Sequence, residues 1–148
     1  MGSESDRKTV EASRPYFDFF NIEVDYIISS AHRNPEKTAE IAQSARSKGY
    51  SAIICAAGMA AHLAGVCAAK SDLPVIGIPL KGGLMDGLDA LLSTVQMPKG
   101  VPVATFAVGT AGCVNAAVFC ARMFSLYDEA INIELSQFID NGCVIPES

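Results

Sequence analysis

A histidine beside an arginine, in the segment SSAHRN at residues 29–34, is the first feature of this sequence that could carry chemistry. An imidazole exchanges protons near neutral pH, so His32 is a candidate acid–base group. Arg33 is a permanent cation that can hold a phosphate through two parallel hydrogen bonds. The pair precedes Asn34 and Pro35, which together are typical of a helix start, so it should lie in a loop. An ordinary solvated surface pair is the alternative interpretation.

The chain opens on a second candidate, Gly2 to Asp6 (GSESD). Two hydroxyls and the backbone amides at a helix start would attract an anion such as a phosphate. The alternative is a capping box, in which Ser3 caps the helix and Asp6 reaches back to the Ser3 amide.

A third segment, residues 56–65 (AAGMAAHLAG), consists almost entirely of small side chains. Such a segment lets the backbone approach a flat ring closely, although tight packing of a helix on a sheet selects small residues too. We interpret His62 as a positioned hydrogen-bonding group. A metal site is not expected, because the chain has only two histidines and no H-x-x-x-H or C-x-x-C spacing.

Weaker signals complete the set. Gly109 to Gly112 (GTAG) is either an anion-binding loop or simply a helix start, and the sequence has neither a P-loop nor a G-x-G-x-x-G motif. Cys55 is a poor candidate nucleophile, because it lies in an apolar strand where a thiol stays protonated.

The elements that would position these loops alternate between strands and helices. Apolar runs predict strands at residues 24–29, 52–57, 75–78 and 103–108. Helices are predicted from Asn34 to a stop at Gly49, along the stripe 116–127, and along a weaker stripe at 131, 135 and 138. The alternation predicts a parallel sheet covered by helices on both faces, with a ligand beyond the carboxyl ends of the strands.

The first turn is unusual because no strand precedes it. Residues 1–6 resemble a strand-to-helix turn, and the following helix would bury Val10, Phe17 and Phe20. We therefore expect either residues before Met1 or a sheet that lacks its first strand. Residues 1–148 are predicted to form one catalytic domain, with 128–148 as a C-terminal helix or tail.

Composition further narrows the range of possible functions. The chain of 148 residues is 50% hydrophobic and 18% charged, with a net charge of −5. The low charged fraction favours burial between subunits, and the absence of a basic stripe argues against nucleic acid as a partner. Five cysteines without close pairing, no signal peptide and no membrane-length apolar run indicate a soluble, cytoplasmic protein.

Together the motifs resemble the PurE family, the N5-carboxyaminoimidazole ribonucleotide mutases of purine biosynthesis. The resemblance runs from residue 1 to about residue 127. It rests on MGSESD at 1–6, SAHRNP at 30–35, AAGMAAHLAG at 56–65, LPVIGIP at 73–79 and LLSTVQMPKGVPVATFAVGTAG at 91–112.

The resemblance implies a three-layer α/β/α sandwich with a flavodoxin-like parallel sheet, assembled as a cytoplasmic homo-octamer, and a reaction that needs no cofactor and no metal. It implies that His32 is the catalytic acid–base residue. The substrate-binding residues that it implies are Ser3, Ser5, Asp6, Ser30, Ala31, Arg33, Gly58, Ala60, His62 and Leu63. Ser3, Ser5 and Arg33 would hold the phosphate, Asp6 the ribose, and the segment from Gly58 to His62 would cover the ring.

Other functions stay open at this point. The sister branch of the family carboxylates aminoimidazole ribonucleotide with free carbon dioxide, but Arg33 and the AAHLAG segment favour the mutase. A non-catalytic ribonucleotide-binding module is a further alternative. The sequence departs from the family at Met59, Ala64 and Lys81–Gly83, positions that border the carboxylate side of the expected pocket.

Overall fold

The protein is built on a parallel sheet. A computed structural model describes residues 1–146. The sheet consists of β1 (Ile53–Ala57), β2 (Val75–Pro79) and β3 (Ala104–Thr105), in the order β1-β2-β3 and parallel throughout. Ile53 pairs with Val75, and Ile76 pairs with Ala104. All of β2 is buried, as expected for a strand covered on both faces. The predicted strands at 52–57 and 75–78 are confirmed, whereas the one at 103–108 shortens to two residues.

Seven α-helices lie along the described chain. They are α1 (Arg7–Val10), α2 (Arg14–Phe19), α3 (Pro35–Ser44), α4 (Leu63–Ala68), α5 (Leu88–Val95), α6 (Thr110–Phe124) and α7 (Glu129–Asp140). Short 3-10 turns occupy Glu4–Asp6, Glu11–Ser13, Arg46–Lys48 and Leu84–Asp86. None of these helices has the length and apolar character needed to cross a membrane.

The helices cover both faces of the sheet, which confirms the predicted α/β/α layering. On one face, Ile76 and Ile78 pack with residues of α1, α2 and α6. On the other face, Cys55 and Val75 pack with residues of α3 and α4. Helix α5 joins this second layer at Gly77, where an added Cβ would lie 2.4 Å from the Thr94 methyl group.

Helix α7 packs outside α6. Its three periodic apolar residues are buried against Phe20 and Ala121, which confirms the stripe predicted at 131, 135 and 138. Helix α3 also begins as predicted: the Asn34 side chain accepts a hydrogen bond from the Lys37 amide, and Pro35 follows it. Gly49, at φ 90°, ends the 3-10 turn that follows α3.

The single helix predicted after the first turn is wrong. Two short helices separated by a 3-10 turn replace it, although Val10, Phe17 and Phe20 are buried as expected. Pro15 has no amide hydrogen to donate to the Glu11 carbonyl, which accepts from the Arg14 amide instead. The Ser13 hydroxyl also donates to the Val10 carbonyl.

The segment 24–29, predicted as a strand, forms no ladder with the sheet. Alternate residues are half-buried against the core, as a strand face would be. Its backbone bonds lie at its carboxyl end: the Met1 amine donates to the Ile27 carbonyl (2.8 Å), and the Ser29 amide donates to the Met1 carbonyl (2.9 Å). Two backbone bonds to a single residue do not make a ladder.

Candidate functional site

The loops singled out in the sequence come together at the carboxyl edge of the sheet. The turn after Met1, the segment after Ser29 and the loop after β1 are neighbours there. Backbone hydrogen bonds tie them and the adjoining loops together: Gly2 N to Ala56 O (3.1 Å), Ser29 N to Met1 O (2.9 Å), Leu80 N to Ala57 O (2.9 Å) and Gly109 N to Pro79 O (2.8 Å). This is where a parallel sheet is expected to bind its ligand.

The two histidines of the chain contact each other in this site. Nε2 of His32 and Nδ1 of His62 are 2.8 Å apart, and the rings meet edge to face at 79° with centroids 4.9 Å apart. A nitrogen-to-nitrogen hydrogen bond holds one proton between two basic atoms, so one ring donates while the other accepts. Both side chains are exposed, and so the proton is accessible to a bound ligand. The pair can therefore store and transfer a proton.

The first turn forms a ring of polar contacts. The Ser3 amide donates to the Asp6 carboxylate (3.0 Å), and the Ser3 hydroxyl accepts from the Ser5 amide (3.3 Å) and the Ser5 hydroxyl (2.9 Å). The capping box considered in the sequence is thus present. Ser5 is exposed and Ser3 half-buried, so their hydroxyls can also meet a ligand.

The segment that carries His32 is folded onto itself by Ser30. The Ser30 hydroxyl accepts from the Arg33 amide (3.3 Å), and its carbonyl accepts from the Asn34 amide (2.9 Å). Ala31 packs against the core beneath, and Arg33 is exposed just before α3. The guanidinium is thus available to an anion at the mouth of the site.

The loop after β1 is a sharp turn. An added Cβ on Gly58 would lie 3.7 Å from the Lys81 carbonyl, so this loop runs beside the one after β2. The Ala61 amide donates to the Met59 carbonyl (2.9 Å), and the His62 amide donates to the Ala60 carbonyl (2.8 Å). Ala60 and His62 are exposed at the surface of this turn.

Leu63 differs from the other predicted binding residues. Its side chain is buried in the core at the start of α4, so only its backbone can face a ligand. The physical reason is the helical register, which directs Leu63 and Ala64 onto the sheet.

The loop after β2 adds a cation, Lys81, that the sequence analysis noted only as a departure from the family at the border of the pocket. Lys81 follows β2, and its aliphatic carbons lie 3.3 to 3.7 Å from the Cβ that Gly109 lacks. Its ammonium pairs with Asp86 at 3.6 Å. The GTAG segment at 109–112 forms the start of α6, and Lys81 lies alongside it.

Four of the five cysteines are buried, and Cys143 is exposed. A hydrogen bond to Cys67, together with burial, raises the pKa of the Cys55 thiol well above its ordinary value. Cys55 therefore stays protonated at neutral pH, as its apolar strand predicted. Within residues 1–146, no three His, Cys, Asp or Glu side chains form a cluster that could hold a metal ion.

Sequence comparison relates the chain to proteins with a known activity. The profile of the AIR carboxylase family matches residues 1–142. The chain is 43% identical to the N5-carboxyaminoimidazole ribonucleotide mutase of Haemophilus influenzae, over 95% of this chain and 86% of that protein. It is 45% identical to the enzyme of that name from Bacillus subtilis, over 95% and 87%.

A solved structure has a similar fold. The fold is similar to that in the crystal structure of Treponema denticola PurE, with a TM-score of 0.84 and 27% identity over 97% of this chain and 88% of that one.

Proposed function

This chain belongs to the AIR carboxylase family, and from that membership we propose that it is an enzyme of purine biosynthesis that isomerises N5-carboxyaminoimidazole ribonucleotide to 4-carboxy-5-aminoimidazole ribonucleotide. The observation that supports this chemistry best is the His32–His62 hydrogen bond of 2.8 Å in the loop cluster. The mutase names of the relatives favour the mutase over the carboxylase of the same family.

The substrate would be anchored by its phosphate. Ser3, Ser5 and Arg33 offer two hydroxyls and a cation, and Asp6 offers a carboxylate to the ribose hydroxyls. Ser30 and Ala31 line the same side through their backbone. The fixed sugar-phosphate then places the imidazole ring against the turn from Gly58 to His62, where small residues allow close approach.

The first chemical step breaks the bond between the exocyclic nitrogen and the carboxylate. The bond's electron pair stays on nitrogen, His32 delivers a proton to that nitrogen, and carbon dioxide is released into the site. His62 holds the His32 ring in position through the observed hydrogen bond.

The second step forms a bond between the ring carbon and carbon dioxide. The electron-rich ring supplies the electron pair, and the ring carbon's proton passes to His32, which regains the proton it gave. Holding carbon dioxide next to the ring replaces a bimolecular encounter with a local one, which is worth several kcal/mol. The net change is an isomerisation, so its stoichiometry requires no oxidant, reductant or nucleotide.

We further propose that the single catalytic domain, 1–148, assembles as a homo-octamer in the cytoplasm. Several large apolar side chains are exposed on one chain, and both histidines of the site are open to solvent. Apart from Met59, which lies on the turn of the site itself, the most exposed of them are Leu84, Met85, Leu126 and Tyr127. Neighbouring subunits would bury such surface. Light scattering of the purified protein tests the assembly state.

An isotope experiment separates this function from its alternatives. The protein is incubated with substrate carrying ¹³C in the carbamate, in unlabelled bicarbonate, and separately with aminoimidazole ribonucleotide and labelled bicarbonate. A mutase gives product that keeps the carbamate label. Label entering from bicarbonate would instead identify a carboxylase, and binding without turnover of either substrate would identify a binding module.

A further inference from the structure

Met59 adopts a backbone conformation that methionine avoids. Its φ is +56°, in the left-handed region where a side chain crowds its own backbone. Such conformations persist where the surrounding structure enforces them, and they concentrate at functional sites. Here Ala61 and Leu63, both buried, fix the end of the turn, and the Ala61 amide donates to the Met59 carbonyl at 2.9 Å.

The enforced conformation keeps the Met59 side chain out of the core. It is 65% exposed, although a thioether side chain is normally buried. It stands one residue after Gly58 and three before His62, whose ring contacts His32. A large, flexible and exposed apolar group therefore lies on the same short turn as His62.

We propose that Met59 is the cover that keeps carbon dioxide and the ring intermediate in the site between the two chemical steps. This inference rests on the proposed function. Carbon dioxide has no net charge or dipole and so accepts only weak hydrogen bonds from the protein, and an apolar wall over the site would slow its escape. A methionine suits this role because its three rotatable bonds let it move aside for the substrate and settle back over the ring.

The cover acts at the branch point of the reaction. Once the carbamate bond has broken, the carbon dioxide either forms the new bond to the ring carbon or leaves. If it leaves, aminoimidazole ribonucleotide remains with its ring proton in place, and the turnover is lost. Met59 therefore sets the ratio of carboxylated product to free aminoimidazole ribonucleotide, without taking part in proton transfer.

Three variants test this role. Met59→Gly removes both the cover and the strain, Met59→Ala removes the cover but keeps the strained backbone, and Met59→Leu keeps an apolar cover. Each is incubated with substrate, and released aminoimidazole ribonucleotide is measured against carboxylated product, with a protein-free blank for spontaneous decarboxylation. Thermal melting is recorded in parallel.

Met59→Gly and Met59→Ala should release about tenfold more aminoimidazole ribonucleotide per product, a change typical of losing the burial of roughly two methylene groups. Met59→Leu should stay near wild type. Met59→Gly should also melt a few degrees higher, because glycine relieves the strain. A higher melting temperature together with poorer retention of carbon dioxide in Met59→Gly would exclude a purely structural role for Met59.

The inference is overturned if Met59→Gly and Met59→Ala retain carbon dioxide as well as the parent protein does. It is also overturned if Met59→Leu leaks as much as Met59→Ala. Failure of the proposed function looks different, because the parent protein would then form no carboxylated product at all.

Discussion

Replacing His62 measures how much the histidine pair contributes to the reaction. The two rings share one hydrogen bond of 2.8 Å, from Nε2 of His32 to Nδ1 of His62, and both side chains are exposed. A hydrogen bond between exposed groups is worth about 0.5–1.5 kcal/mol, which corresponds to a factor of about 2 to 12. If His62 only positions His32, His62→Ala should lower kcat by that factor. Because the side chain is exposed, the free energy of unfolding should change by less than about 0.5 kcal/mol.

The geometry supplies matched controls. The atom in contact is Nδ1 of His62, and the amide of asparagine reaches about as far as Nδ1, whereas that of glutamine reaches the position of Nε2. His62→Asn should therefore restore most of kcat, and His62→Gln should not. Steady-state kinetics at saturating substrate, together with thermal melting, give the result. A loss of kcat above about a hundredfold in His62→Ala, the range of direct acid–base catalysis, would refute a positioning role.

Substitutions elsewhere in the structure have expected outcomes as well. Arg33→Ala should weaken substrate binding by about 10- to 100-fold in calorimetry and leave kcat nearly unchanged, because it removes a charge-assisted hydrogen bond; a lower kcat with unchanged affinity would contradict this. Gly112→Ala should destabilise the protein by about 2–3 kcal/mol in urea, because the new Cβ would lie 1.9 Å from the Ala107 carbonyl oxygen; unchanged stability would contradict the packing. Burial raises the pKa of Cys113 to about 11 and that of Cys120 to about 12. Since the unfolded thiols ionise near pH 9, stability should be full below that pH and fall as the pH rises toward 11–12, and the Cys113→Ala/Cys120→Ala protein should lose part of this slope; an identical slope would argue against the cause.

Local signals made much of the fold predictable. The start of α3 follows from Asn34 and Pro35, and the end of its final turn follows from Gly49, since these residues act on the backbone beside them. The apolar runs of β1 and β2 predicted buried parallel strands, because only a sheet covered on both faces uses such runs. The burial of α7 followed from periodicity in the same way.

Two secondary-structure predictions were wrong, and each has its own cause. The segment 24–29 alternates as a strand should, but a ladder depends on the backbone that lies beside it, which the pattern of the segment does not contain. The single helix after the first turn was predicted from the spacing of its apolar residues, although Pro15, a residue that interrupts helices, was visible in the sequence.

The sequence predicted where the candidate loops would lie, but not which of their side chains would contact each other. The rule that ligands bind at the carboxyl edge of a parallel sheet brought the loops of His32 and His62 to one place. It could not give a hydrogen bond between rings 30 positions apart in sequence. The rule could not give the φ of +56° at Met59 either. Methionine disfavours this left-handed backbone conformation, so the surrounding structure has to enforce it.

We propose that one imidazole, that of His32, carries the proton in both steps. His32→Asn keeps a polar side chain but cannot shuttle a proton, and the exposed position allows the change without loss of folding. Single-turnover conversion at saturating substrate, with the dissociation constant measured separately, tests the claim most directly. We predict affinity close to that of the parent protein and a rate lower by about a hundredfold or more. A rate within tenfold of the parent protein would show that another group moves the proton.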